Sequence, residues 1–173
     1  MDIKEALEIE HSNAQATKIA TYIENHPHKL EELMKCFFSS EYRLCQRAAW
    51  PLSKIGAKMG NFLIPYLPKM LEHIKTPVHD AVIRNTVRIL QNINIPEELL
   101  GPVYELCFEH LVSPRFPVAV KVFSMTTLTN IAHHFPDLVP ELIIAIEDNL
   151  PHSSAGYKSR AKKELKRLHK ITP

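Results

Sequence analysis

The fold is decided by residues 76–112, which read TPVHDAVIRNTVRILQNINIPEELLGPVYELCFEHLV. The first half predicts a helix with Val82, Leu90 and Ile93 on one side, and a break at residues 94–96 leads into a second helical run. Neither helix of such a pair can bury its apolar face alone, so the pair must stack on similar pairs. The stretch therefore predicts a repeat protein built from helical hairpins.

The same pattern recurs on both sides of this stretch. Four positions of the first helix repeat in register across four units, at steps of 38, 38 and 37 residues. They lie at i, i+4, i+8 and i+11, which is one stripe of a helix and predicts its buried side. The four columns are Leu44, Val82, Val120 and Tyr157; Ala48, Thr86, Ser124 and Ala161; Leu52, Leu90, Leu128 and Leu165; and Ile55, Ile93, Ile131 and Leu168.

The second helices repeat independently of the first. Pro65, Pro102 and Pro140 recur near their starts, where a missing amide costs little because the first amides of a helix have no internal partner. Asn61 and Asp137 are plausible N-caps for two of these helices. Serines precede two other predicted helices: residues Ser12 to Gln15 have the form of a capping box, and the segment with Ser153 and Ser154 predicts an N-cap for the last helix. Because Pro102 lies deeper than a first turn, we expect a short separate turn or a kink there.

Helix pairs of 37 or 38 residues with a basic residue beside the small column resemble HEAT repeats of the armadillo-like superfamily. These basic residues are Arg47, Arg84, Lys121 and Arg160. The resemblance covers about residues 39–170 and, more weakly, 12–38. It implies an all-α, right-handed α-α superhelix of about four HEAT-like helical hairpins with terminal capping helices. It also implies that the second helices line the concave, partner-binding side.

One domain spanning residues 1–173 is expected for a chain of this length. An N-terminal helix and a degenerate repeat take the first part, three regular repeats follow, and a basic capping helix ends the chain. The expected bounds are 1–38, 39–75, 76–112, 113–151 and 152–173.

The composition and charge of the chain limit the classes of protein to which it can belong. With 45% hydrophobic residues, 23% charged residues and a net charge of +2, the chain is ordinary for a globular protein. Its N-terminus lacks the pattern of a signal peptide, and no apolar run is long enough to span a bilayer. We therefore expect a cytoplasmic protein that does not bind membranes. Cys36, Cys45 and Cys107 lie in apolar helical runs and are predicted to be reduced core residues.

Charge differs between the two predicted helix layers. The second helices of residues 96–112 and 137–150 carry four acidic residues each and no Lys or Arg, whereas the first helices are mostly basic. If the family geometry holds, the inner face is acidic and takes a basic peptide or protein segment. The alternative is a solvated polar face with acids favoured near helix N-termini. The candidate partner-binding residues are Lys69, Glu72, His73, Glu105, Glu109, His110, Glu141, Glu147 and Asp148.

The last helix is the most biased segment. Residues 158–173 contain seven Lys or Arg and one acid, Glu164. Such a helix can contact phosphates, anionic lipid or an acidic partner, and it equally suits a polar cap that ends the solenoid. Stacking on bases is not supported, because Tyr157 is the only aromatic residue near these charges. The candidate anion-binding residues are Lys158, Lys162, Lys163, Lys166, Arg167 and Lys170.

The sequence contains no established motif for catalysis or metal binding. The chain lacks Gly-x-Ser-x-Gly, Gly-x-x-x-x-Gly-Lys and His-Glu-x-x-His motifs. The repeated Glu72-His73 and Glu109-His110 pairs are similar to the His-Glu pairs of HEAT-type deoxyhypusine hydroxylase. Their order is reversed, however, and equivalent positions on stacked helices lie about 8–10 Å apart. HEAT-like DNA glycosylases use a basic concave channel, whereas the face predicted here is acidic.

The sequence thus predicts a non-catalytic protein-protein interaction module or scaffold without cofactor or metal. The alternative is nucleic-acid binding through the basic last helix and the basic residues of the first helices. A glycosylase-like or other enzyme on the same scaffold is a lesser alternative. The sequence does not indicate an oligomeric state.

Overall fold

Helices and connecting turns make up the whole of the computed structural model over residues 1–171, the part of the chain that it describes, and no β-strand occurs there. The chain divides into two compact units, Met1–Asn94 and Ile95–Pro173. The division falls inside the predicted repeat of residues 76–112, between its two helices. The prediction of a single domain therefore stays a prediction.

The first unit contains six α-helices among the described residues. They are α1 (Ile3–Ile9), α2 (Asn13–Asn25), α3 (Leu30–Phe37), α4 (Tyr42–Met59), α5 (Leu67–His73) and α6 (Asp80–Leu90), with short 3-10 helices at Pro27–Lys29 and Gly60–Tyr66. The second unit contains α7 (Glu97–Val112), α8 (Val118–Ala132), α9 (Val139–Asp148) and α10 (Ala155–Leu168), with a 3-10 helix at Pro136–Leu138.

The first unit is organised around α4, which packs against α1, α2, α3 and α6. Ala48 and Leu52 of α4 are fully buried in this core. Gly56 lets α6 approach closely, because a Cβ built at this glycine would lie 2.8 Å from Cγ1 of the buried Ile89. The glycine is thus part of the helix-helix interface.

The second unit is organised around α8, against which α7, α9 and α10 pack. Ser124 and Leu128 of α8 are completely buried, as are Ala161 and Leu168 of α10. A helix buried on several sides at once is what a repeat protein needs in its interior, because each hairpin covers the apolar face of the next. The all-α fold of packed helical pairs predicted from the sequence is confirmed.

The predicted buried columns match the structure closely. All sixteen positions are buried except Ile93 and Leu165, which are half-buried. In α10, Glu164 is fully buried at the place where the column predicts Leu165. The columns are therefore correct at fourteen of the sixteen positions, since Ile93 lies beyond the end of α6 and the column is shifted by one residue at Leu165.

Two of the predicted helix starts are wrong and two are right. Asn61 and Asp137 cap no α-helix, because each lies in a 3-10 helix that precedes α5 or α9. Ser12 caps α2, since its Oγ accepts a hydrogen bond from the Gln15 amide at 3.0 Å. Ser154 caps α10 in the same way.

The expected separate turn at Pro102 is also wrong, whereas the alternative of a kink stays a prediction. Residues Glu97–Val112 form one helix with the proline inside it. Pro102 and Glu98, the residue whose carbonyl loses its helical partner, are both exposed. Water can therefore satisfy that carbonyl, which lowers the cost of the missing amide.

Candidate interaction surfaces

The exposed carboxylates of α7 and α9 form the most distinctive surface of the second unit. Glu105, Glu109, Glu141, Glu147 and Asp148 are all exposed, as the sequence predicts, and α7 packs against α9. We call these five residues the acidic face. Glu109 pairs with Arg115 at 3.5 Å, but both side chains are largely exposed, so the pair contributes little. The other four carboxylates form no ion pair with any described residue.

Apolar side chains lie among these acids. The rings of Tyr104 and Phe108 stack on α7 with centroids 5.8 Å apart, and both residues are half-buried. Ile144 on α9 is 59% exposed, which is unusual for so large an apolar side chain. Glu141, Ile144 and Asp148 are spaced i, i+3 and i+7, so they share one side of α9. The surface therefore offers apolar contact area as well as negative charge.

Tyr104 of α7 lies within the electrostatic reach of Glu141 on α9. Its hydroxyl is buried and has no hydrogen-bond partner among residues 1–171. Burial raises the pKa of Tyr104 to about 12, and the Glu141 carboxylate acts in the same direction. The Tyr104 ring thus places an unsatisfied donor near Glu141.

His110 does not belong to this surface, and the prediction that it points outward is wrong. It is 2% exposed, and its ring packs against Phe116 with centroids 4.2 Å apart. The sequence carries a signal for this position. The buried residues of α7 are Val103, Leu106, Cys107, His110 and Leu111, which follow the i, i+3, i+4, i+7, i+8 spacing of a core-facing stripe.

Acidification is expected to destabilise the protein through His110. Burial lowers the pKa of His110 to about 4, and the Arg115 charge adds to the effect. Between that value and the ordinary pKa of 6.5, the unfolded chain binds a proton that the folded chain does not. The free energy of unfolding is therefore not reduced by His110 above pH 6.5, and it decreases as the pH falls from 6.5 towards about 4.

The test compares urea unfolding at pH 8 and pH 5. From the linkage relation, wild type should lose about 2 kcal/mol more over this interval than the variant His110→Leu, which has no imidazole to titrate. Equal losses in the two proteins would contradict the assignment.

Lys69, Glu72 and His73 lie in the first unit and form a different environment. The Lys69 Nζ sits 4.3 Å from the centroid of the Phe38 ring, a cation-π contact. Glu72 pairs with Lys75 at 2.6 Å on the surface. These candidates therefore do not continue an acidic surface.

His73 itself is half-buried and lies beside a cysteine, an arrangement that sequence reasoning missed. Its Nε2 is 3.3 Å from Cys45 Sγ, and both residues line a cleft of about 140 Å³. The residues are 28 positions apart, so no local spacing could reveal the pair. Burial raises the pKa of Cys45 to about 11 and lowers the pKa of His73, so the pair is uncharged at neutral pH. A neutral thiol is a poor nucleophile.

The cysteines within residues 1–171 are unpaired. Cys36, Cys45 and Cys107 are free and buried, which confirms them as reduced core residues. No group of three or more His, Cys, Asp or Glu residues within residues 1–171 is arranged to hold a metal ion.

The basic residues of α10 separate into outward and inward groups. Lys158, Lys162, Lys163, Lys166 and Lys170 are exposed as predicted, and we call these five the lysine row. Arg167 does not belong with them, because its guanidinium contacts Glu164 Oε2 at 2.6 Å and donates to Asn130 Oδ1 at 2.8 Å. The buried Glu164 also accepts a hydrogen bond from Thr126 Oγ1 at 2.9 Å. Arg167 is thus a packing residue rather than an anion-binding one.

Two of the basic residues beside the small column are likewise used in packing. Arg47 donates to the carbonyls of Leu7 and Glu8 at 3.0 and 2.8 Å, at the end of α1. Arg160 donates to Thr126 Oγ1 at 2.7 Å. These side chains bind α1 and α8, which lie earlier in the chain. Their outward role in the alternative of nucleic-acid binding is therefore wrong.

No helix within residues 1–171 combines the length and the apolar character needed to cross a membrane.

Comparison with known families agrees with the helical architecture. A family model described as HEAT repeat domain matches residues 3–168 of the chain. The match extends over both units, the acidic face and most of the lysine row. Comparisons with curated proteins and with solved structures gave no match.

Proposed function

Because the chain belongs to the HEAT repeat domain family, whose repeats generally mediate protein interactions, we propose that it is a non-catalytic interaction module that binds a basic protein segment on the acidic face. HEAT repeat proteins typically act as scaffolds rather than enzymes. The neutral Cys45–His73 pair agrees with that expectation, because a protonated thiol is not an activated nucleophile.

The observation that supports this proposal is the combination of unpaired carboxylates with exposed apolar area on neighbouring helices. Complementary charge steers a partner into place and discriminates against acidic competitors, while desolvated apolar contacts supply most of the affinity. Ile144 and the Tyr104–Phe108 stack provide such contacts beside Glu105 and Glu141. The partner segment that fits has Lys or Arg on both sides of an aliphatic side chain.

The test is binding of a synthetic peptide with lysines flanking a leucine, measured by fluorescence anisotropy at low salt. Changing Glu105, Glu141 and Glu147 to Lys should weaken binding at least about tenfold, equivalent to about 1.4 kcal/mol. Ile144→Ser should weaken binding without changing its salt dependence, since it removes apolar contact only.

The matched control changes Glu8, Glu31 and Glu41, three exposed acids of the first unit, to Lys. This variant has the same net charge as the test variant, so it should bind the peptide as wild type does. Equal weakening by both variants would attribute binding to net charge and remove the acidic face as the site. A pull-down from native cytoplasm with the same pair of variants then identifies the natural partner.

A further inference from the structure

We propose that α10 carries a second binding site, in which the lysine row contacts the phosphate backbone of double-stranded nucleic acid without reading its sequence. This inference does not depend on the acidic face, because it concerns a different helix and a partner of opposite charge.

The outward side of α10 is purely cationic. All five lysines of the row are exposed, and none forms an ion pair with a described residue. The one acid of the helix, Glu164, is fully buried and neutralised by Arg167. Its burial removes the only negative charge that α10 itself would present to an anion.

The lysines are spaced so that several can act together. Lys158, Lys162 and Lys166 are four residues apart, which places them along one side of the helix at steps of about 6 Å. Lys163 lies beside this line, and Lys170 follows just after the helix ends. A duplex carries one negative charge about every 1.7 Å along its axis, so each ammonium group finds a phosphate without a fixed register.

The helix that carries the row is held rigidly. Tyr157 donates its hydroxyl hydrogen to the Ile146 carbonyl at 3.2 Å, and Arg160 donates to Thr126 at 2.7 Å. The Glu164 contacts with α8 add a third attachment near the middle of the helix. Because α10 does not have to be ordered on binding, only the lysine side chains lose conformational freedom.

The side chains of α10 favour duplex nucleic acid over other polyanions. No large apolar side chain of Ala155–Leu168 is exposed, so the helix has nothing to insert into a lipid bilayer. Its one aromatic residue, Tyr157, is 1% exposed and unable to stack on unpaired bases. Arg160 and Arg167, which could anchor an acidic protein, are engaged with α8. Contact through charge alone is what duplex phosphates require.

The experiment measures binding of the full chain to a fluorescent mixed-sequence DNA duplex by anisotropy between 50 and 200 mM salt. Contacts from all five lysines give a slope of log affinity against log salt of about −4.5, which is about a 500-fold loss over this range. Changing Lys162 and Lys166 to Gln should make the slope shallower by about 1.8. A second duplex of different sequence should bind equally well.

The matched control changes Lys18 and Lys35, two exposed lysines of the first unit, to Gln. It removes the same net charge and should leave the slope unchanged. Absence of duplex binding at 50 mM salt would overturn the proposal. A slope of log affinity against log salt that does not change when Lys162 and Lys166 are replaced by Gln would also overturn it. Tighter binding to a single strand, or to phosphatidylserine-containing vesicles, would also overturn it.

The two proposals fail separately. The variant with Glu105, Glu141 and Glu147 changed to Lys should still bind the duplex, because the lysine row is intact. Loss of peptide binding alone therefore concerns the acidic face, and loss of duplex binding alone concerns α10.

Discussion

The variant Glu164→Ala should have a free energy of unfolding about 3–5 kcal/mol lower than wild type, because it removes the buried partner of an ion pair. Glu164 is completely buried, contacts Arg167 at 2.6 Å and accepts a hydrogen bond from Thr126. Removing the carboxylate leaves the guanidinium and the Thr126 hydroxyl without their partner. The Arg167 side chain is 33% exposed and can turn partly towards water, which favours the lower end of the range.

A double variant at this site separates the effect of removing one partner of the ion pair from the effect of removing both partners. A double variant, Glu164→Leu with Arg167→Met, removes both charges and keeps the volume filled, so it should be more stable than Glu164→Ala. The equivalent position of α6 is Ile89, which is buried and apolar. An apolar side chain is thus compatible with this place in the repeat.

Urea unfolding followed by circular dichroism measures these differences. Glu147→Ala, an exposed acid on the neighbouring α9, is the matched control and should stay within about 0.5 kcal/mol of wild type. A Glu164→Ala protein as stable as this control would show that the buried carboxylate does not stabilise the fold.

The variant Leu128→Ala is expected to cost about 3–4 kcal/mol of unfolding free energy. Leu128 lies in the centre of α8 and is completely buried, so removing three carbon atoms leaves a cavity that the surrounding helices can fill only in part. Since α8 packs against every other α-helix of its unit, the cavity weakens several contacts at once.

Leu165→Ala is the matched control, because Leu165 occupies the same column of the repeat but is only half-buried. The same chemical change there should cost about 1 kcal/mol, in proportion to the smaller apolar area that it exposes. Thermal or urea unfolding of both variants gives the comparison. Equal losses would mean that burial does not decide the contribution of this column.

The sequence predicts the fold well because the repeated signals are local. A helix that packs on one side shows its apolar residues at helical spacing, so the columns that include Leu52 and Leu128 identify the buried stripe without any knowledge of the neighbours. Serine caps act within three residues, which is why Ser12 and Ser154 could be recognised. The same spacing places His110 among the buried residues of α7, although the polarity of its side chain favours the surface.

The candidate surfaces are less predictable, because exposure and pairing depend on other helices. The exposed acids follow from periodicity, and their outward positions were expected. That Arg47 binds the carbonyls of α1, some 40 positions earlier in the sequence, has no local signal. The N-cap predictions for Asn61 and Asp137 failed for a related reason, since 3-10 helices separate them from the α-helices that they were expected to begin.

The sequence by itself determined that this protein is built from helical pairs in register, and which side of each first helix is buried. Only the tertiary structure decided which charges remain available to a partner. Glu164 and Arg167 read as surface residues of a basic helix, yet Thr126 and Asn130, on a helix 37 or 38 positions earlier, turn them inward. The physical reason is that a charged side chain enters a core only where partners meet it there, and those partners are brought together by packing rather than by sequence spacing.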